Sequence, residues 1–134
     1  IKAIEVAKKN IEANCLQNIH YVHSNWFEKV DNSIFDVIVS NPPYISKEDP
    51  HLKQVELIKQ PQVALVSDDE GLQDIRTIVG NASEYLSKTG MLLIEHGYNQ
   101  ANKVKQIFID NKFNHMEQHK DINNKIRVTS GIKI

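Results

Sequence analysis

The feature that most constrains this chain is an apolar run that stops at two consecutive prolines, Phe35-Asp36-Val37-Ile38-Val39-Ser40-Asn41-Pro42-Pro43-Tyr44. The β-branched residues 37–39 favour a buried strand that is covered on both faces of a sheet. Proline has no backbone N–H to donate to a sheet ladder, so the strand must end before Pro42. Ligands of open α/β sheets bind beyond the carboxyl ends of the strands, and the sequence therefore predicts a binding loop that begins at Asn41.

The rest of the chain alternates helical and strand patterns. Apolar residues recur at helical spacing in three segments, 1–14, 72–86 and 101–111, and strand-like runs cover 19–23 and 91–94. The tail has strand character on both sides of the turn-prone segment 122–125, which predicts a terminal antiparallel hairpin. Strands that alternate with helices predict an α/β fold with parallel βαβ units and helices on both faces of the sheet.

Composition narrows the class of protein. The formal net charge is −1, from 16 basic and 17 acidic side chains, so the chain as a whole offers no general attraction for a nucleic-acid backbone. This counts against nucleic acid as a direct partner and leaves a local basic patch open. The lone cysteine, Cys15, cannot form an internal disulfide, and no apolar run is long enough to span a bilayer. The six histidines are scattered, and we expect no metal site. A cytoplasmic location without membrane attachment is the expectation.

The chemistry of the tetrad 41–44 indicates a reaction class. Asn41 offers a side-chain carbonyl acceptor, and Pro42 still offers its backbone carbonyl. A planar –NH2 group would satisfy both acceptors with its two hydrogens while the Tyr44 ring lies against its flat face. Such a nitrogen is a poor nucleophile, so the useful catalysis is to orient it toward an electrophile and polarise its N–H bonds. Methyl transfer from a sulfonium to a primary amide or an exocyclic amine fits that demand.

At this point the sequence resembles a known family. Asn-Pro-Pro-Tyr at the end of a strand resembles the signature of S-adenosylmethionine-dependent amino-group methyltransferases. The longer strings are similar to those of the HemK/PrmC glutamine methyltransferases of peptide chain release factors. These strings are Val39 to Ile45, Asp49-Pro50-His51-Leu52, Ala64-Leu65-Val66, Gly71-Leu72, Leu93-Ile94-Glu95-His96-Gly97 and Arg127-Val128-Thr129. The resemblance implies a class I methyltransferase, Rossmann-like α/β fold.

The resemblance also implies roles for individual residues. Asn41 and the Pro42 carbonyl would hold the glutamine amide, with Pro43 and Tyr44 completing the substrate site. Asn25 and Trp26 match the position that contacts the cofactor adenine, and Asn41 is expected to lie close to the cofactor as well. The family implies S-adenosylmethionine as cofactor and release factors of translation termination as protein substrate.

The resemblance further implies that this chain is a fragment. Ile1 begins inside a helical pattern, and the family's glycine-rich cofactor motif, its ribose-binding acidic residue and its N-terminal helical domain would precede it. We therefore expect residues 1–134 to be a partial catalytic domain that lacks the first strands and is inactive in isolation. Gln60 and Asn25 stand where family members usually have acidic residues, which predicts weaker adenine contact and weaker loop docking.

Three alternatives stay open on the sequence alone. The same tetrad serves nucleic-acid methyltransferases that modify adenine or guanine amines, and a ribosomal-protein branch of glutamine methyltransferases exists. A non-catalytic binding module is the third possibility. Glu95 and His96 follow a predicted strand and could be an acid/base pair or structural hydrogen-bonding groups, and they stay without an assigned role, as does Arg127.

Overall fold

The first compact unit of the protein consists largely of one helix and the turns that follow it. The computed structural model describes residues 2–53 and 61–134, and the chain divides into the units Ile1–Ser33 and Ile34–Ile134. Helix α1 spans Lys2–Ala13, as its apolar spacing predicts, and none of its described side chains is fully buried. It ends just before Cys15, which takes a left-handed backbone conformation with φ 52°.

The predicted strand over 19–23 is wrong. These residues form no sheet ladder, and the side chains of Tyr21 and Val22 are about half exposed. The segment leads instead into a turn in which the Glu28 N–H donates to the Asn25 carbonyl at 3.1 Å. Alternation over five residues cannot by itself show whether a neighbouring strand is available for pairing, and pairing is what defines a strand.

The second unit contains a four-stranded mixed sheet. Its strands are β1 Phe35–Ser40, β2 Leu86–Glu95, β3 Phe113–Lys120 and β4 Ile126–Lys133, in the spatial order β1-β2-β4-β3. Strands β1 and β2 are parallel, with Val39 opposite Leu93, whereas β4 is antiparallel to both β2 and β3. The α/β class and the terminal hairpin are therefore confirmed, with a single parallel pair among the described strands.

Two helices pack on the sheet and supply most of the core. They are α2, Gln73–Tyr85, and α3, Ala101–Asp110, and they contact each other as well as the strands. Their buried residues are Ile75, Ile78, Val79, Ala82, Ala101, Val104, Ile107 and Phe108. Leu86, predicted as the last residue of α2, is the first residue of β2, where it pairs with Phe35. The sequence also suggests Gly90 as the glycine just past the end of this helix, but it lies within β2 and does not cap the helix.

The prediction that β1 is covered on both faces is wrong. Val37 and Val39 are 53% and 73% exposed, and only Ile38 and Ser40 are partly covered. In the described sheet, β1 is an edge strand, so its side chains have a neighbouring strand on one side only. Three β-branched residues in a row identified a strand, but they did not determine how many of its faces are covered.

Between β1 and α2, the described residues include two 3-10 turns and one short helical segment. Residues Pro50–Lys53 and Gln62–Ala64 form single 3-10 turns, and Asp68–Gly71 is a short helical segment. Ile45 and Val66 form an isolated parallel bridge that joins the chain after β1 to the chain before α2. The sequence predicts a substrate-facing loop over the long polar segment 45–60, and residues 54–60 of that segment lie outside the described residues. No helix within 2–53 or 61–134 is long and apolar enough to cross a membrane.

Candidate active site

The tetrad 41–44 lines one side of a small cavity at the end of β1. Asn41 is exposed at the carboxyl end of the strand, Pro42 is fully buried, and Pro43 and Tyr44 are partly buried. Together with residues 45, 64 and 65 they enclose about 250 Å³. The structure therefore brings all four predicted substrate-site residues to one place, beyond the end of a strand, as expected for this kind of sheet.

Two side chains hydrogen-bond the hydroxyl of Tyr44. It donates to Glu95 Oε1 at 3.1 Å and accepts from Arg127 Nη2 at 3.3 Å, and the guanidinium lies 5.7 Å from the ring centroid. Burial raises the pKa of Tyr44, although the charge of Arg127 opposes that shift. The phenol therefore stays protonated at neutral pH as the donor to Glu95, and its ring is held in a defined orientation.

The sequence predicts Glu95 at the same sheet edge as the tetrad, with an acid/base role and a structural role both open, and it gives Arg127 no role. Glu95 is the last residue of β2 and Arg127 is the second residue of β4. The parallel pairing of β1 with β2 was the available signal, since it places the ends of both strands at the same edge of the sheet. No signal in the sequence placed Arg127 there before the order β2-β4 was known.

A second, larger cavity of about 670 Å³ adjoins Tyr44. It is lined by residues 44–46 and 48–50, by Gly97-Tyr98-Asn99 after β2, and by Arg127. Part of the predicted substrate-facing loop therefore does border a cavity. The cavity is shared between the segment that follows β1 and the segment that follows β2, so it requires both strand ends.

His96 is a buried structural group. Its Nδ1 lies 2.9 Å from the Gly97 carbonyl and its Nε2 lies 2.9 Å from the Thr129 hydroxyl. A carbonyl can only accept, so Nδ1 carries the proton and Nε2 accepts from Thr129. Burial lowers the pKa of His96, which keeps the imidazole neutral. With both nitrogens engaged inside the protein, this side chain is not available as a proton shuttle.

The residues predicted to contact adenine belong to the first unit. The Asn25 amide donates to Glu28 Oε1 at 2.7 Å, and Trp26 is partly buried with a left-handed φ of 47°. Asn41, the third residue of the predicted cofactor site, belongs to the second unit. The cofactor roles of all three residues stay predictions. In the described ranges, no three His, Cys, Asp or Glu side chains are grouped so that they could hold a metal ion.

Comparisons with known proteins agree with this architecture. Residues 1–70 match the family described as "Methyltransferase small domain". The chain is 43% identical over 128 residues to the release factor glutamine methyltransferase of Haemophilus influenzae, covering 96% of this chain and 43% of that protein. It is 44% identical over 131 residues to the protein of the same name from Pasteurella multocida, covering 97% and 44%.

A solved structure supports the fold. The crystal structure of a methyltransferase from Pyrococcus furiosus superposes with a TM-score of 0.70 at 20% identity, covering 96% of this chain and 56% of that one. This likeness concerns the fold alone. The chain spans less than half the length of the two curated relatives that it matches.

Proposed function

The chain belongs to the methyltransferase small domain family, and from this premise we propose that the protein methylates the side-chain amide nitrogen of a glutamine in peptide chain release factors. The methyl donor in this proposal is S-adenosylmethionine. The observation that carries the proposal is the tetrad 41–44, held beyond the end of β1 with Asn41 exposed beside the buried Pro42.

Asn41 and Pro42 would act by holding the amide. The Asn41 side-chain carbonyl and the Pro42 backbone carbonyl each accept one N–H of the substrate, so the nitrogen is oriented and its electron density is raised. Tyr44 would pack against the flat face of the same group, with its ring kept in place by Glu95 and Arg127. Orientation of this kind is the main assistance that a weakly nucleophilic amide needs.

Asn25 and Trp26, which both belong to the first unit, would hold the cofactor adenine. The donor set fits that role chemically, because a carboxamide can hydrogen-bond the adenine edge and an indole can stack on its face. When bound, S-adenosylmethionine supplies an electrophilic methyl group. The amide nitrogen would bond to the methyl carbon as the bond from that carbon to sulfur breaks, so that S-adenosylhomocysteine leaves and the amide proton is then lost to water.

The choice of a release factor as substrate is supported by the names of the similar proteins and by the charge of the chain. Both Haemophilus influenzae and Pasteurella multocida relatives are called release factor glutamine methyltransferases. A net charge of −1 offers no general attraction for a nucleic-acid backbone. Translation termination takes place in the cytoplasm, where we propose that the enzyme acts.

The test is Asn41→Ala in the full-length protein that carries this chain. We expect methyl transfer to a release factor, measured by mass spectrometry of its glutamine peptides, to fall by ~10²–10³ in kcat, as for other preorganised polar contacts. The melting temperature should change little, because Asn41 is exposed.

Asn81→Ala is the matched control, since Asn81 is an exposed asparagine on α2. It should leave the rate unchanged. A normal rate for Asn41→Ala, or a methyl group that the wild-type protein places on a nucleobase and not on glutamine, would overturn the proposal.

A further inference from the structure

We propose that Gln100 is a positioning residue that fixes the backbone of the tetrad through the Tyr44 carbonyl. The inference rests on the proposed function for its kinetic consequence, but its structural consequence can be measured independently. Gln100 immediately precedes α3, far from the tetrad along the chain, and it is only 6% exposed.

The side-chain amide of Gln100 hydrogen-bonds only backbone groups, through its Nε2 as donor and its Oε1 as acceptor. Its Nε2 donates to the Tyr44 carbonyl at 2.9 Å and to the Glu70 carbonyl at 3.1 Å. Its Oε1 accepts from the Gly97 N–H at 2.8 Å. An amide has two N–H donors and one carbonyl, so one neutral side chain joins three segments that are distant in sequence.

The Tyr44 carbonyl is also closely packed on another side. Gly71 has φ +83°, and a Cβ at this position would lie 2.1 Å from the Tyr44 oxygen. No side chain larger than hydrogen fits there without moving the Tyr44 peptide. The carbonyl is therefore fixed by contact with Gly71 and by the hydrogen bond from Gln100.

The peptide group that joins Tyr44 to Ile45 is held at its N–H as well as at its carbonyl. The Ile45 N–H donates to the Leu65 carbonyl at 2.9 Å, and the Ser67 N–H donates to the Ile45 carbonyl at 3.0 Å. A shift of the Tyr44 carbonyl would therefore be transmitted in one direction to Pro42 and in the other to the Ile45–Val66 bridge. Movement of Pro42 would displace the proposed substrate acceptors, and movement of the Ile45–Val66 bridge would be detected by amide hydrogen exchange.

Gln100 does not act on the substrate directly. It is not among the residues that line the two cavities beside Tyr44. Its amide lies behind the tetrad, among backbone groups, and both its donors and its acceptor are occupied there. Its contribution is to hold Tyr44, and with it the preceding acceptors, in the geometry that the reaction needs.

The decisive variant is Gln100→Glu in the full-length protein. The carboxylate keeps an oxygen for the Gly97 N–H but places a second oxygen against two carbonyls in place of the N–H donors, which is repulsive. We expect kcat for glutamine methylation to fall by ~10²-fold with KM little changed, as for misplacement of reacting groups by about 1 Å. Hydrogen exchange measured by mass spectrometry should accelerate at Ile45 and Ser67 while Gly97 stays protected.

Gln100→Met keeps the approximate shape of the side chain and removes all three hydrogen bonds. In that variant the Gly97 amide should also exchange faster, because its acceptor is gone. This second variant keeps the test valid if the glutamate variant does not fold. Gln73→Glu makes the same chemical change on the exposed first residue of α2, and both exchange and kcat should match the wild-type protein.

The failure of this inference differs from the failure of the proposed function. If the wild-type protein methylates no glutamine, the proposed function is wrong, and the exchange pattern still reports on Gln100. If Ile45 and Ser67 exchange at the wild-type rate in both Gln100 variants, or if kcat is unchanged, Gln100 does not position the tetrad and the inference is overturned.

Discussion

Strands β1 and β2 run side by side in the same direction, yet they contribute to the protein in different ways. Both contain continuous apolar runs, and both end at the same edge of the sheet. On one face of the sheet, Leu92 is completely buried while its β1 partner Ile38 is only partly covered. On the other face, Val39 is 73% exposed opposite the partly covered Leu93. The chain after β1 carries the tetrad, and Glu95 and Gln100, which both hydrogen-bond Tyr44, lie at the end of β2 and shortly after it.

The difference indicates that the core and the proposed substrate site are divided between two neighbouring strands. Strand β2 lies between β1 and β4 and is stabilised by the core that it helps to form. Beyond the end of β1, hydrogen bonds hold Tyr44: its hydroxyl donates to Glu95 and accepts from Arg127. The Tyr44 carbonyl accepts from the Gln100 amide. Substitutions in β2 should therefore change stability, and substitutions after β1 should change activity.

The largest effect expected from this comparison is the loss of stability in Ile94→Thr. Threonine keeps the β-branched shape but removes apolar volume and buries a hydroxyl, which together cost about 2–4 kcal/mol. Val39→Thr makes a similar change on the 73% exposed face of β1, and it should alter the free energy of unfolding by less than about 0.5 kcal/mol. Urea unfolding of both variants tests the contrast, and equal losses would contradict it.

The second effect is the pH dependence of stability that comes from His96, the buried residue directly after β2. The pKa of His96 is lowered in the folded protein, so between that value and the unfolded value of about 6.5 the unfolded chain binds the additional proton. Stability is therefore fully present above about pH 6.5 and declines as the pH falls below it. His96→Gln should cost about 1–3 kcal/mol at pH 7.5 and flatten this decline.

Unfolding curves measured at pH 7.5 and at lower pH values provide the data for this second test. The wild-type protein and the His96→Gln variant should differ most at pH 7.5 and approach each other in acid. A decline of the same steepness in both proteins would mean that another group is responsible for it.

The smallest of the three effects is that of Tyr44→Phe. The ring remains, but the hydrogen bonds with Glu95 and Arg127 are lost, and we expect a loss of about 1 kcal/mol in the free energy of unfolding. Tyr98→Phe removes a hydroxyl from an exposed tyrosine beside the same cavity and serves as control. If both variants lose the same free energy of unfolding, the hydrogen bonds of the Tyr44 hydroxyl do not stabilise the chain at the end of β1.

Local patterns were sufficient to identify the elements whose signals are long or repeated. Helix α3 has the buried positions that its spacing predicts, and the two strands of the hairpin lie on either side of the predicted turn. The strand over 19–23 was predicted wrongly because five residues carry too little pattern to show whether pairing takes place. Two-sided burial of β1 was predicted wrongly because burial depends on the neighbouring elements and not on the strand itself.

The candidate site was predictable to the extent that it is contiguous in sequence. The tetrad 41–44 could be found because two prolines end an apolar strand and leave an amide and an aromatic residue beyond it. Gln100 and Arg127 could not be found in the same way, since their partners lie elsewhere along the chain. Gly71 is a related case, because only the approach of the Tyr44 carbonyl shows why a glycine is required there.

The distance along the chain between the two strand ends also has a kinetic consequence. Tyr44 and Glu95 are separated by 51 positions, whereas Gln118 and Thr129, which touch across the hairpin, are separated by 11. Contacts between distant residues form more slowly because a long loop must be closed before they are made. During folding the hairpin should therefore form early, and the hydrogen bonds that hold Tyr44 should be among the last to form.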